Sequence, residues 1–401
     1  MIKKVASNRL MVGMFIHDLD ASWLTHPFLT SSFAINNAAM VRKIIDARIK
    51  HVYIDTEKGI DLPEATPKVE VERQVFKEKQ LVASKQKGLS KKVPYEQEIY
   101  HARKILREAH NQMRNVMNDA RIGQRIDEAV VEEMVDNVID SIFRNQDALI
   151  HLSRIKQRDQ YTYQHAISTC VLMASFAKAL SLEKEKVRQI GIGAMLHDLG
   201  KMRVPLDILN KPGKLTGDEY QLMKDHVDLG CELLDNLGGI TPTVLNVAKQ
   251  HHERIDGSGY PLRLMGERIS QEGQMAAIVD VYDALTSDRC YKKAWEPTFT
   301  LGKMLEWGND HFGQNLVHQF VRCVGIYPVG TLVRLDSNMV AVVVDQNEND
   351  LLLPIVRIVF DEARKRYIQP KDVDLSHHPD ELQIIEAIAP SDVSIDPQAF
   401  V

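Results

Sequence analysis

The sequence predicts a mainly α-helical protein with a small α+β module at its N-terminus and a small β-rich appendage at its C-terminus. Two patterns carry this reading. Between Asp127 and Phe320 apolar residues recur at helical intervals, as in Val131, Met134, Val135, Val138 and Ile142, with loops marked by Gly and Pro. Outside that stretch alternation takes over: Val12, Met14, Ile16 and Val52, Ile54 near the start, then Thr331, Val333, Leu335, the run Val340 to Val344 and the segment Ile355 to Phe360.

In chain order, residues 1–62 add a helical stretch around Asn37 to Ala47 to their alternations, which makes an α+β module, read as regulatory. Residues 63–94 turn charged and poor in apolar side chains, the composition of a linker or a solvated, partly helical connector, and a domain boundary is expected there. Residues 95–134 read as a connecting helix. In it Ile99, Ala102, Leu106, Ala109, Met113, Val116 and Ala120 follow one another at alternating spacings of three and four, the seam of a coiled coil. Two arrangements need that face: a homodimer through residues 95–120, or one amphipathic helix packed on its own chain. Residues 135–328 form the main helical domain and 329–401 the β-rich extension.

Composition narrows the partners. The 401 residues, 44% hydrophobic, can bury at least one sizeable core and suggest two or three domains. With 50 Lys and Arg against 55 Asp and Glu, the net charge of −5 provides no overall basic field for a long nucleic acid, so a phosphate ligand must be gripped locally. Cys170, Cys231, Cys290 and Cys323 are widely spread, which fits a reducing compartment, and the cytoplasm is the expected location. No apolar run approaches the roughly 18 residues of a membrane span.

The chemistry concentrates in the helical region, where His165, His197, His226, His251 and His252 accompany Asp198 and Asp280. Imidazoles with a few carboxylates suit first-row divalent metals. A single histidine in such a setting more often packs or hydrogen-bonds, so the joint pattern carries the reading. Asp198 ends an apolar helical stretch (Ile190, Ala194, Met195, Leu196), where a buried carboxylate needs a cation, either a metal or Lys201. Thr216 and Glu219 form a capping box, which places His226 about two turns inside the helix they start. His251 and His252 precede a Gly-rich loop whose irregular backbone can bring both rings to one metal, and Gly257 and Gly259 permit close approach to a phosphate or sugar. Asp280 and Asp283 stand three apart on an apolar helix, followed by Arg289, Lys292 and Lys293, a basic helix end able to accept phosphates.

In this order, DQYTYQH at 159–165, MLHDLGK at 195–201, PLDILNKPGKLTGDEYQLMKDH at 205–226, HHERIDGSGYP at 251–261 and IVDVYDALTSDRCY at 278–291 resemble the HD-GYP family of the HD phosphohydrolase superfamily, over about half the chain. The resemblance implies an all-helical HD-type catalytic domain. Its metal ligands carry over to His165, His197, Asp198, His226, His251, His252 and Asp280. One divalent ion would take His165, His197, Asp198 and Asp280; the other would take His226, His251 and His252, with Asp198 bridging. Iron or manganese is expected, and nickel and zinc also fit. Tyr161 stands where some relatives have a glutamate that helps bind a third metal, so two ions are expected, and Val227 replaces the proline that usually follows the fourth histidine.

The implied activity is hydrolysis of cyclic di-GMP to pGpG, in some members on to GMP. Lys201 would neutralise phosphate charge or protonate the leaving oxygen, with Arg254, Gly259, Tyr260, Pro261, Asp283, Arg289 and Lys292 contacting substrate, and Asp283 alternatively orienting a ligand or a basic residue. Two alternatives stand beside it: a non-catalytic cyclic di-GMP receptor, and a phosphodiesterase for a related dinucleotide such as cyclic GMP-AMP. The GYP loop is also a candidate contact for a diguanylate cyclase. The first 62 residues look similar to a domain of unknown function often found ahead of this catalytic domain.

Overall fold

The computed structural model describes the chain except residues 22–27, 29, 85–91, 156–160, 212, 289–293, 309, 348 and 380–381 and the side chains of 161 and 391. The described residues form two compact units, Met1–Lys79 and Gln80–Val401.

The first unit is the expected α+β module. Strands β1 (Ile2–Ala6), β2 (Phe15–Asp18), β3 (Phe33–Ala34), β4 (His51–Asp55) and β5 (Thr66–Pro67) pair antiparallel in the order β3-β2-β4-β1-β5. Helix α1 (Ala38–Asp46) starts at Asn37, whose side chain accepts from the Met40 amide. The alternating residues Ile16, Val52 and Ile54 meet Ile44 of α1 in a small core. The stretch expected as a linker holds helix α2 (Lys68–Ala83), and the two units divide within that helix, inside the 63–94 stretch where the boundary is expected.

The second unit is helical up to its C-terminal sheet. Its helices are α3 (Tyr95–Ile122), α4 (Glu128–Ser153), α5 (Tyr161–Ala179), α6 (Lys184–Leu196), α7 (Leu206–Leu209), α8 (Gly217–Lys224), α9 (His226–Asp235), α10 (Pro242–Gln250), α11 (Gln271–Leu285), α12 (Pro297–Trp307) and α13 (Gln314–Val324). The single helix expected over 95–134 is two helices. Gly123, at φ +75°, ends α3 with its amide donating to the carbonyls of Asp119 and Ala120, and Asp127 caps α4. All seven seam residues of α3 are buried in the core of this one chain. The seam therefore belongs to the second of the two arrangements, a helix packed on its own chain.

Helix α5 runs through the middle of the unit. Ala166, Ile167, Cys170, Val171, Met173, Ala174, Phe176 and Ala177 are all buried, which marks a helix covered on every side. It packs against α3, α4, α6, α11 and α13. At the C-terminus β6 (Leu332–Leu335), β7 (Met339–Asp345), β8 (Ile355–Asp361), β9 (Arg366–Asp374) and β10 (Ile384–Ile388) form an antiparallel sheet in the order β10-β6-β7-β8-β9. The alternations read from sequence are β6, β7 and β8, the three inner strands. The edges β9 and β10 escaped that reading because an edge strand can be polar and can hold a proline, here Pro370. Among the described residues no helix is long and apolar enough to cross a membrane.

The α3–α4 packing encloses one charge. Glu98, 1% exposed, accepts from Arg144 Nε at 2.7 Å, Arg144 Nη2 at 2.8 Å and Ser141 Oγ at 2.6 Å. Burial pushes its carboxyl up, but these bonds leave it below the ordinary value of 4.5. The pair thus stabilises the fold above that value and stops doing so as pH falls through the lowered one. Glu98→Gln is expected to cost roughly 1–3 kcal/mol at pH 7, a range discounted for the water that reaches Arg144. Urea unfolding of both proteins should show that gap closing below about pH 4.5.

Candidate metal centre

Three helix ends and two further helices supply the proposed ligands. His165 projects from α5 and Asp280 from α11; His197 and Asp198 follow the last residue of α6; His226 opens α9; His251 and His252 follow α10. His226 is not inside the helix that the Thr216–Glu219 capping box starts. That helix, α8, ends at Lys224, and a new one begins at His226. The α6 helix also stops before Lys201, which lies on a 3-10 turn, Leu199–Arg203, three residues after Asp198.

Helix ends orient the imidazoles. The last carbonyls of a helix lack intrahelical partners, and here they accept from histidine Nδ1: Ala194 O from His197 at 2.7 Å, Met223 O from His226 at 2.6 Å and Ala248 O from His251 at 2.7 Å. In His165 the same place is taken by Asp283 Oδ2, 2.6 Å from Nδ1. Each of these bonds leaves Nε2 to face inward. Of the two roles expected of Asp283, substrate contact or orientation of a ligand, its place is that of the second: it is buried behind His165, in the position from which a carboxylate sets ring orientation and raises basicity.

Asp198 is the hub. Its Oδ2 lies 3.4 Å from Nε2 of both His165 and His197, while Oδ1 lies 3.3 Å from His226 Nε2 and 3.8 Å from His251 Nε2. Asp280 spans the same two sets, with Oδ1 3.1 Å from His165 Nε2 and Oδ2 3.5 Å from His252 Nδ1. The rings of His251 and His252 have centroids 4.0 Å apart, so the backbone leaving α10 does bring adjacent side chains together. Donor atoms of His226, His251 and His252 fall within 4.8 Å of one another, as do those of His165, His197 and Asp280. His197 Nε2 and Asp198 Oδ1 are buried without a hydrogen-bond partner, a need that cations bound on either side of Asp198 would meet.

Only glycine lets these parts close. A Cβ on Gly200 would lie 1.9 Å from the His226 carbonyl oxygen and 2.4 Å from the Gly230 nitrogen. The 3-10 turn carrying Lys201 can thus press directly on α9, and this holds Asp198 beside His226.

The electrostatics hold His197, His251 and His252 neutral and the carboxylates ionised, while His165 is drawn to its charged form by the carboxylates around it. Burial lowers the pKa of His197 and His252 and takes His251 down to about 3. Burial also lowers His165, but hydrogen bonds to Asp198, Asp280 and Asp283 outweigh it and raise it to about 10. Burial pushes Asp198 up, yet Lys201 and His197 hold it well below the usual carboxylate range, and Asp280 is held down in the same way by His165 and His252. Lys201 Nζ is 2.5 Å from Asp198 Oδ2.

The GYP loop closes one side. Tyr260 donates its amide to the His252 carbonyl at 3.2 Å, its ring lies 4.7 Å from the His252 ring, and the bond to the half-buried Pro261 is cis. A Cβ on Gly259 would meet the Arg254 nitrogen and Glu253 Cα at 2.5 Å, so the loop folds onto its own start. Arg254 is half-buried beside Tyr220 and Tyr260. Arg289 and Lys292, expected to bind phosphate, lie outside the described residues, as does the Tyr161 side chain.

The chain matches the HD domain family over residues 140–316 and a domain of unknown function, DUF3391, over 2–130. It is 41% identical over 377 residues to a cyclic di-GMP phosphodiesterase of Pseudomonas aeruginosa, covering 94% of this chain and 89% of that one. The chain belongs to the HD-GYP family. Two further relatives match shorter stretches of the chain. The cyclic di-GMP phosphodiesterase response regulator RpfG of Xanthomonas campestris pv. campestris is 43% identical over 154 residues, 38% of this chain and 41% of that one. A 3′3′-cGAMP-specific phosphodiesterase of Vibrio cholerae is 34% identical over 164 residues, 41% of this chain and 31% of that one.

One residue of the HD-GYP site escaped the sequence reading. Glu253, 1% exposed, accepts from the amides of Leu262 and Arg263 through Oε1, at 2.7 and 3.0 Å, and from Leu264 through Oε2, at 2.9 Å. Its signal was a carboxylate placed directly after the paired histidines, where it can reach back over the loop. Glu253→Ala should release these three amides, cost roughly 1–3 kcal/mol and speed their hydrogen exchange, which mass spectrometry of the loop peptide would read.

Proposed function

We propose that the protein hydrolyses cyclic di-GMP to pGpG at a pair of divalent metal ions, lowering the level of that messenger. The observation that carries this reading is the division of Asp198: one oxygen faces His165 and His197, the other His226 and His251. In this reading His165, His197, Asp198 and Asp280 would hold one ion and His226, His251 and His252 the other, with Asp198 shared. A divalent pair bound there supplies charge neutralisation of the phosphate and lowers the pKa of water. Iron and manganese suit this mixed nitrogen and oxygen set, as do nickel and zinc.

The chain's own residues do the rest. Asp283 holds His165 in one orientation through Nδ1. Lys201 reaches from Asp198 towards solvent, its side chain 21% exposed, where it neutralises the phosphate oxygens or donates a proton to the leaving 3′-oxygen. Glu253 shapes the loop that lays Tyr260 against His252.

Replacing His197 and Asp198 together by Ala should abolish metal binding and pGpG formation while leaving the helical circular dichroism largely unchanged. Elemental analysis of anaerobically purified protein, run beside the pGpG assay, tests this, and turnover by metal-free protein would sink the proposal. Asp283→Ala should weaken metal binding about 10- to 100-fold. Lys201→Ala should lower turnover more than metal content. The Vibrio relative's name favours a second reading, in which cyclic GMP-AMP is the substrate; parallel assays with both dinucleotides separate the two.

A further inference from the structure

A cyclic dinucleotide whose phosphate lies at this centre must place a base within one ribose of it, and the centre itself offers nothing that distinguishes one base from another. The end of α8 does. Lys224 Nζ lies 4.7 Å from the centroid of the Tyr220 ring and 5.2 Å from that of Tyr260. The Tyr260 ring in turn lies 4.7 Å from the His252 ring, tilted by 32°. Lys224 is half-buried and Tyr220 is 37% exposed, so the group is open on one side. It stands two residues before His226, whose ring is fixed by the Met223 carbonyl.

From this juxtaposition we infer that Lys224, with Tyr220 and Tyr260, forms a guanine-recognition subsite that determines which cyclic dinucleotide is cleaved. The inference rests on the hydrolase reading above.

Two features of the chemistry point to a base rather than a phosphate. Aromatic rings stack on any nucleobase, each contributing about 1–3 kcal/mol. An ammonium beside such a ring meets the base edge. Guanine presents two acceptors there, O6 and N7, and adenine presents an amino donor in place of O6, which a cation repels. The subsite also stands apart from Lys201. Lys201 pairs with the Asp198 oxygen that faces His165 and His197, whereas Lys224 belongs with His226 and His252, on the other set.

The test compares full-length, metal-loaded wild type, Lys224→Met and Lys224→Arg on cyclic di-GMP, on cyclic di-AMP, which has no guanine, and on bis(p-nitrophenyl) phosphate, a diester without a base. For Lys224→Met, kcat/KM on cyclic di-GMP should fall about tenfold, mainly through KM, with a loss of about threefold or less on cyclic di-AMP, read as turnover or as affinity in competition, and less than twofold on the small diester. Lys224→Arg, which keeps the charge and the donors, should recover most of the loss. Equal losses on the two dinucleotides would mean that the charge acts on phosphate and would overturn the inference. Loss on the small diester in step with metal loss would overturn it too, because Lys224 would then only hold Tyr260 against His252. An active wild type with an unaffected Lys224→Met overturns this inference alone; a wild type inactive on both dinucleotides overturns the hydrolase reading and this inference with it.

Discussion

A carboxylate taken out of water is among the most costly groups a fold can contain, and the HD-GYP unit is arranged around one. Asp198 is 1% exposed, yet it has inward-facing histidine nitrogens on both of its oxygens and Lys201 on one of them. Burial disfavours its charged form; the surrounding cation and imidazoles restore it. The same logic extends outward. Asp280 is stabilised by His165 and His252, and Asp283 by His165, so three carboxylates and five imidazoles form one coupled set.

The fold supplies this set by ending helices at the centre. A helix C-terminus leaves carbonyls that need donors, and histidine Nδ1 meets that need at α6, α8 and α10. One local rule thus serves two purposes: it completes the helix end and it selects the tautomer that frees Nε2. The apolar interior of α5 and the close backbone contact at Gly200 then hold the three ends in register.

The differences between sequence reading and structure share a cause. Apolar spacing on α3 shows that a face must be covered, but the covering partner is set by the rest of the chain, here α4 and α5. A capping box marks where α8 begins and carries no information about where it stops, so His226 was assigned to the wrong helix. Asp283 sits three residues after Asp280, and spacing alone cannot tell a carboxylate that faces the centre from one that backs a ligand. Glu253 and Lys224 act through loops and neighbouring helices, which leave no periodic trace.

The sequence alone determined the helical class, the inner strands of the C-terminal sheet and which His and Asp residues are candidate ligands, because periodicity and residue chemistry are local properties of the chain. Tertiary structure decided which oxygen of Asp198 meets which imidazole, which carboxylate stands behind His165 and which cation lies on Tyr260. These are relations between residues far apart in sequence, and only the packing of α5, α6, α8, α9, α10 and α11 brings them within reach of one another.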